Sequence, residues 1–194
     1  ESPNKRFSVL KNTSLVLFAV FFGVGVCLYN MDYLTSASQT KPVTISHRGV
    51  SGGNSAQNTL AALEKTSRTY HPDYVEMDVQ ETKDGQFVVM HDFNLKKLTG
   101  INKAPQDLTL KELEKLKVTE NGAKEPVVSF DTYLKRANEL NQKLLIEIKN
   151  SKNDSKDIVE RFVKKYEENI LTHQHILQSL TYQTVSDLKN ANPN

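Results

Sequence analysis

Cysteine and tryptophan are the scarcest residues in this 194-residue sequence, which has one cysteine, Cys27, and no tryptophan. A single cysteine excludes an intrachain disulfide and a zinc site built from thiolates. The sequence also lacks a one-sided charge, because 25 basic side chains oppose 23 acidic ones and leave a formal net charge of +2. So small an excess gives no argument for a nucleic-acid partner. With 38% hydrophobic and 25% charged residues, the composition is that of one globular domain plus an appendage.

The longest apolar run, residues 14–29, contains no charged side chain. At about 1.5 Å per residue it would span most of a bilayer core of ~30 Å. Basic residues precede it and Asp32 follows it, so the positive-inside rule places the rest of the chain at the outer face of the cell membrane. We predict a cytoplasmic-side flank at 1–13, a transmembrane helix at 14–30 and a linker at 31–42. A signal-peptide core and a buried core helix are the alternatives.

Strand-like and helix-like patterns alternate from residue 43 onward. The predicted strands are residues 43–46, 74–79, 87–91, 144–148 and 176–180. The predicted helices are residues 58–66, 109–116, 129–140 and 154–168. This alternation is typical of a parallel α/β fold, and a barrel and an open doubly wound sheet both fit it. Because the last residues run from a helix pattern into turn residues, we expect a piece of a longer, repeating fold.

Glu76 and Asp78 share one face of the strand predicted at 74–79, because side chains alternate along a strand. Burying both is costly unless something neutralises them, and a hard divalent cation would do so through the carboxylate oxygens. The alternative is an edge strand on which both acids face solvent. Glu147, flanked by two isoleucines, is the natural third acid and favours the metal site. Lys149 shares its face and would either pair with the acids or, as we favour, offer its charge to a phosphate.

Two of the five histidines, His47 and His91, each end an apolar run. The carboxyl-end mouth of a parallel barrel or sheet would place functional side chains there. Near neutral pH, a histidine pair can supply both a base and an acid. The neighbouring Arg48 offers a planar fork to a phosphate, and Gly49 permits close approach of the backbone. The pair therefore predicts acid–base chemistry at the mouth of the fold.

The other three histidines give no such signal. His71 precedes a proline in a predicted loop, and His173 and His175 have no acid or cysteine beside them. We expect the latter two to lie in a turn before the last strand.

Taken together, the motifs resemble those of the glycerophosphodiester phosphodiesterase family, in order and in spacing, over residues 43–180. They are His47-Arg48-Gly49, Gln57-Asn58-Thr59-Leu60-Ala61-Ala62, Glu76-Met77-Asp78-Val79, Lys83-Asp84-Gly85, Val88-Val89-Met90-His91-Asp92 and Glu147-Ile148-Lys149. The predicted span before them resembles the membrane-bound Gram-positive branch. The resemblance implies a TIM-type (β/α)8 barrel, present here as its first roughly five strands in a domain at 43–194 that is incomplete at its C-terminus.

The resemblance also implies hydrolysis of glycerophosphodiesters to sn-glycerol 3-phosphate and an alcohol, with a role for seven side chains. Ca²⁺ or Mg²⁺ would bind Glu76, Asp78 and Glu147, the general acid and base would be His47 and His91, and the phosphate would be held by Arg48 and Lys149. Which histidine is the acid stays open, as does whether water or a glycerol hydroxyl attacks. Gln57 departs from the family, which has glutamate there, so its part in metal binding is uncertain.

Two other functions remain as alternatives. One is a phosphodiesterase of the same fold that acts on phospholipid or sphingolipid headgroups. The other, prompted by Gln57, is a membrane-anchored module that binds polyglycerophosphate without cleaving it. The expected partners are a glycerophosphodiester substrate and, through the N-terminal helix, the membrane, with no nucleic acid.

Overall fold

The computed structural model describes residues 20–26, 28, 41–50, 52–53 and 55–191. The chain divides into two compact units, residues 1–42 and 43–194.

In the first unit, residues 20–26 and 28 are helical, and their large apolar side chains are exposed. Among the helices formed by described residues, none combines the length and apolar character needed to cross a membrane. The remainder of the helix predicted at 14–30, the flank at 1–13 and most of the linker at 31–42 lie outside the described residues.

The second unit alternates strands and helices. Its strands are β1 (Ile45–Ser46), β2 (Tyr74–Glu81), β3 (Phe87–Val89), β4 (Lys117–Glu120), β5 (Ala123–Pro126), β6 (Leu144–Ile148) and β7 (Ile176–Gln178). Its α-helices are α1 (Leu60–Thr69), α2 (Lys96–Thr99), α3 (Leu110–Leu113), α4 (Phe130–Glu139), α5 (Ile158–Thr172) and α6 (Tyr182–Ala191). Two 3₁₀ turns lie at His47–Gly49 and Pro105–Asp107.

The main sheet has the strand order β1-β2-β6-β7, and all of these pairs are parallel. The predicted parallel α/β fold is therefore confirmed. The five predicted strands are all present, but β3 pairs antiparallel with β2. The turn between them, around Asp84 and Gly85, is too short for the crossover that a parallel pair needs. Four parallel strands, rather than five, are therefore formed by the described residues. The eight-stranded closure implied by the resemblance stays a prediction.

The main core lies between one face of the sheet and three helices. Alternate residues of the two central strands point into it and are almost fully buried: Val75, Met77, Val79, Leu144, Ile146 and Ile148. Helices α1, α4 and α5 cover them. Aromatic rings of α5 pack edge to face against Phe87, and Phe130 of α4 packs edge to face against Tyr166 of α5. Because every second residue faces this core, the residues between them face the opposite side of the sheet, where the acids lie.

The predicted helix starts are largely confirmed by their caps. The Thr59 hydroxyl accepts from the Ala62 amide at the start of α1. Thr109 and Glu112 form a capping box at α3, where a helix is predicted to begin. Helix α5 begins four residues later than predicted, because the Asp154 carboxylate first accepts the Ser151 amide and closes a turn.

The antiparallel pair β4 and β5 was not predicted. Its connection is Asn121-Gly122, and both residues have positive φ, 49° and 79°. Two residues with positive φ form the tight turn that suits a hairpin, and Asn-Gly is its strongest sequence signal. The hairpin brings Glu120 to the candidate site.

Candidate active site

Three acids from the two central strands, Glu76, Asp78 and Glu147, form what we call the acidic cluster. Asp78 and Glu147 are direct partners in the register of β2 and β6. One carboxylate oxygen of each acid lies within 4.8 Å of the others. The alternative of an exposed edge strand is wrong, because β2 has neighbours on both edges and the acids are only 5%, 1% and 8% exposed.

Strands β1 and β3 share one edge of β2, since β6 occupies the other edge along its length. β1 pairs up to Val75 and β3 begins to pair at Val79, so neither strand covers the segment between them. His47 follows β1 and His91 follows β3, and the two histidines thus flank the acid-bearing segment from opposite directions. The prediction that His91 ends a parallel strand is wrong, because β3 is antiparallel.

The two histidines differ in their surroundings. The His47 side chain is 73% exposed, and its Nε2 lies 3.8 Å from Oε2 of Glu76. The His91 side chain is 29% exposed, and its Nδ1 lies 2.8 Å from Oδ1 of Asp92. A carboxylate can only accept, so Nδ1 of neutral His91 carries the proton and Nε2 is left with a lone pair. His91 is oriented by its neighbour, whereas His47 is open to solvent.

Arg48 adopts a left-handed conformation, with φ 52°. Its backbone N–H donates to Oε2 of Glu76 at 2.8 Å, and its Nη1 donates to Oε1 of Gln57 at 2.9 Å. Its Nε lies 3.8 Å from Oδ2 of Asp78 and has no hydrogen-bond partner among the described residues. The strained turn therefore directs both the backbone and the guanidinium of Arg48 at the acidic cluster.

Lys149 is the second cation in contact with the acidic cluster, and it is 8% exposed. Its Nζ lies 3.3 Å from Oε1 of Glu147 and 3.7 Å from Oδ1 of Asp78. The ring of Phe93 lies 5.3 Å from the same nitrogen. The structure thus places Lys149 against the acids, and the phosphate contact remains a prediction.

Burial, with smaller contributions from the charges of Asp78 and Glu147, raises the pKa of Glu76 from 4.5 to about 7. The hydrogen bond from the Arg48 amide opposes them. A proton and a cation therefore compete for Glu76 near neutral pH.

The donor set of the acidic cluster fits a hard divalent cation. It offers only carboxylate oxygens, which Ca²⁺ and Mg²⁺ prefer. When all three acids are ionised, they outnumber the cations of Arg48 and Lys149 by one, so a bound cation would relieve an uncompensated negative charge. The predicted Glu76, Asp78 and Glu147 are thus brought together as a possible metal site.

Sequence reasoning missed two neighbours of these residues. Asn58, at the start of a predicted helix, donates to Oδ2 of Asp78 at 2.9 Å and accepts the Asp78 amide at 3.1 Å. Glu120 accepts the backbone and side-chain N–H groups of Gln57 at 3.0 and 2.7 Å. The side-chain oxygen of Gln57 thus faces Arg48 while its amide nitrogen faces Glu120. The Asn-Gly turn was the one signal that could have located Glu120.

Similarity to known proteins supports the resemblance inferred from the motifs. The model of the Glycerophosphoryl diester phosphodiesterase family matches residues 47–194. A glycerophosphodiester phosphodiesterase of Caldanaerobacter subterraneus subsp. tengcongensis is 31% identical over 157 residues, which cover 79% of this chain and 64% of the relative. Lysophospholipase D GDPD1 of Rattus norvegicus is 48% identical over 69 residues, 36% of this chain and 21% of that protein.

Among solved structures, an Oleispira antarctica phosphodiesterase in complex with the product sn-glycerol-3-phosphate has a TM-score of 0.64 at 23% identity. The match covers 79% of this chain and 63% of that one, and it shows similarity of fold. The chain therefore spans less than two thirds of the length of each of these three proteins. Because the family model matches most of the chain and includes the whole candidate site, this chain belongs to the Glycerophosphoryl diester phosphodiesterase family.

Proposed function

We propose that this protein hydrolyses glycerophosphodiesters to sn-glycerol 3-phosphate and an alcohol, with the help of a divalent cation. The observation that carries the proposal is the buried acidic cluster on β2 and β6, flanked along one edge of β2 by His47 and His91. Family membership supports the same reaction class, as does the product named for the phosphodiesterase of similar fold.

Glu76, Asp78 and Glu147 would hold the cation, either Ca²⁺ or Mg²⁺. When bound, such a cation stabilises negative charge on phosphoryl oxygens and orients the diester. Arg48 would hold a phosphate oxygen with its guanidinium, which donates in a fixed plane. Lys149 would add its charge from the other side of Asp78.

Proton transfer falls to the two histidines in this proposal. Asp92 fixes the proton of neutral His91 on Nδ1, so Nε2 is available to take a proton from the attacking hydroxyl or water. We therefore assign the general base to His91. The acid that protonates the leaving alcohol is then His47, whose exposure gives it access to solvent protons.

A second candidate concerns the leaving alcohol. The rat lysophospholipase D matches this chain at 48% identity over 69 residues, which favours lipid-linked diesters as alternative substrates. A panel of glycerophosphocholine, lysophosphatidylcholine and a sphingolipid diester, compared by kcat/KM, separates the two. A higher kcat/KM for either lipid would replace the proposed substrate class.

The predicted membrane anchor and the outward orientation also belong to the proposal. They are supported by the uncharged run at 14–29 and the basic residues before it. Protease added to intact cells should degrade the domain after residue 43, and the domain should sediment with membranes. Full protection from protease, or recovery in the soluble fraction, would contradict the anchor.

The test of the activity uses the full-length protein and measures glycerol 3-phosphate release from glycerophosphocholine, with and without a chelator. Chelation should abolish release. His47→Ala and His91→Ala should each lower kcat by about 10²- to 10⁴-fold, the usual share of general acid–base catalysis. His71→Ala, at an exposed loop histidine, is the matched control and should retain full activity.

Either no release or release that is indifferent to the chelator would contradict the proposed function. Binding of polyglycerophosphate that survives His91→Ala, with no hydrolysis by the unaltered protein, would instead identify a non-catalytic binding module.

A further inference from the structure

Gln80 is a fully buried polar side chain to which the proposed reaction gives no role. It lies on β2 two residues beyond Asp78 and therefore on the same face as the acids. A buried amide is retained without cost only where its N–H and C=O groups find partners. The partners of Gln80 show what this side chain does.

The Nε2 group of Gln80 donates to three consecutive backbone carbonyls. They belong to Met90, His91 and Asp92, at 2.9, 3.1 and 3.1 Å. Two hydrogens thus serve three acceptors, so the chain is curled around the amide at the position of His91. The conformation of the loop after β3 is therefore stabilised by the Gln80 side chain of β2.

The same loop is held at two other points. The Met90 amide donates to the carbonyl of Asp78 at 3.0 Å, and the ring of His91 is oriented by Asp92 at 2.8 Å. The Gln80 side chain thus bonds the backbone carbonyls of the loop, the Asp78 carbonyl bonds the Met90 amide, and the Asp92 carboxylate bonds the His91 ring. The position of the His91 imidazole relative to the acidic cluster is therefore set from β2.

Gln142 provides a comparison within the same sheet. It is also buried, at 6% exposure, and its Nε2 donates to the carbonyls of Pro72 and Lys143 at 3.1 and 3.0 Å. These carbonyls lie before β2 and β6, at the end of the sheet away from His47 and His91. Gln142 thus makes the same kind of hydrogen bonds without holding a catalytic candidate.

We infer that Gln80 is a positioning residue for His91, acting by holding the three carbonyls around it rather than by touching substrate. This inference rests on the proposed function, in which His91 is the general base. A shift of the imidazole by about 1 Å is enough to lower the rate by about 10²-fold. The binding of the cation and of substrate should change much less, because Gln80 makes no hydrogen bond to the acidic cluster among the described residues.

The test compares Gln80→Met with Gln142→Met in the full-length protein, since methionine fills similar space and donates no hydrogen bond. Gln80→Met should lower kcat by about 10²-fold with KM within about threefold. Gln142→Met should lose comparable stability and keep its kcat. Gln80→Glu, which retains the length of the side chain and at most one donor, provides the same comparison if the methionine variant fails to fold.

Two further measurements separate positioning from simple support of the fold. In the His91→Ala background, Gln80→Met should lower kcat by less than about threefold, because two residues that act through one group are not additive. Independently of activity, Gln80→Met should speed hydrogen exchange of the Met90 amide more than Gln142→Met does. A loss of about 10²-fold in both backgrounds, or unchanged exchange at Met90, would overturn the inference. An unaltered protein without hydrolysis would instead contradict the proposed function, while the exchange result would still decide the positioning.

Discussion

At the amino end of the sheet, the buried side chains of His175 and Gln142 are neutral and hydrogen-bonded within the protein, whereas the acidic cluster nearer the carboxyl end brings three carboxyl groups close together. His175 accepts the Leu144 amide on Nδ1 at 3.0 Å and bonds Oδ1 of Asn138 through Nε2 at 2.9 Å. Towards the other end, the acidic cluster has two cations for three acids. The first arrangement is complete within the protein, whereas the second leaves one carboxylate without a cation, which a bound metal ion would supply.

Burial shifts the pKa of one group in each region, and in each case it favours the neutral form. Burial lowers the pKa of His175 from 6.5 to about 4, with help from the charge of His173, and raises that of Glu76 from 4.5 to about 7. The neutral form of His175 is the one its hydrogen bonds need. Glu76 must give up its proton to bind a cation. The comparison therefore predicts that changes in the two regions affect stability and activity differently.

The largest effect is expected from Glu76→Gln, which removes a charge from the acidic cluster. Activity should fall by about 10³-fold, since a catalytic cation supplies several kcal/mol. The metal-free protein should nevertheless become more stable at pH 8, by about 1–3 kcal/mol. The pKa of Glu76 is higher in the folded state, so the ionised form of Glu76 lowers the free energy of unfolding. This loss of stability is absent below pH 4.5, grows between pH 4.5 and about 7, and is complete above about 7.

Urea unfolding of metal-free protein at pH 5 and pH 8, beside the assay, measures both quantities. Glu160→Gln, at an exposed glutamate of α5, is the control and should alter neither. If Glu76→Gln lost stability at pH 8 as well as activity, the acidic cluster would be a structural element like the amino end.

The next effect concerns His175 and should appear in stability alone. Its lowered pKa means that the folded state binds fewer protons than the unfolded state between about pH 4 and 6.5. Its contribution to the free energy of unfolding, about 2–3 kcal/mol, is fully present above the unfolded pKa of 6.5. It is lost as pH falls towards the folded pKa of about 4.

Unfolding measured from pH 7 to pH 4 should therefore show a steeper acid loss in the unaltered protein than in His175→Leu, which cannot take up a proton. His173→Gln should lessen the acid loss only slightly, because it removes the charge of this exposed neighbour and keeps the buried hydrogen bonds of His175. Equal acid dependence in all three proteins would show that His175 does not set it.

Much of the candidate site could be predicted from the sequence, although the strand pairing that assembles it could not. Alternation along β2 placed Glu76 and Asp78 on one face, and the strand-like pattern at 87–91 predicted β3. Local patterns could not show that β1 and β3 share an edge of β2, which is what brings His47 and His91 to the same acids. That arrangement depends on pairing between residues distant in the sequence.

The residues that hold the site in place escaped prediction for the same reason. Gln80 continues the pattern of alternate polar residues on β2, but its acceptors are backbone carbonyls of another segment. Gln57 was noted as a departure from the family, without a partner. Glu120 comes to it from 63 residues away, through a hairpin recognised only in the structure. The contact between Gln57 and Glu120 gives the most sensitive test of the charge balance near the acidic cluster.

The smallest effect is expected from restoring a glutamate at Gln57. Both oxygens of Glu120 already accept N–H groups of Gln57, so Gln57→Glu replaces a donor by a second carboxylate at the 2.7 Å contact. The ion pair gained with Arg48 offsets part of this repulsion. We expect a loss of about 1–2 kcal/mol of unfolding free energy at pH 8, measured by urea denaturation.

The reciprocal change supplies the control, because Gln57→Glu with Glu120→Gln exchanges donor and acceptor across the same contact. The double variant should return to within about 0.5 kcal/mol of the unaltered protein, since the two residues are coupled. Measurement of Ca²⁺ and Mg²⁺ affinity in the same variants then decides whether residue 57 takes part in metal binding. An affinity that rises with Gln57→Glu in both backgrounds would make residue 57 a fourth metal ligand. If the affinity instead changes only in parallel with the free energy of unfolding, the role of Gln57 is to connect Arg48 and Glu120. The acidic cluster would then be the complete set of acidic ligands.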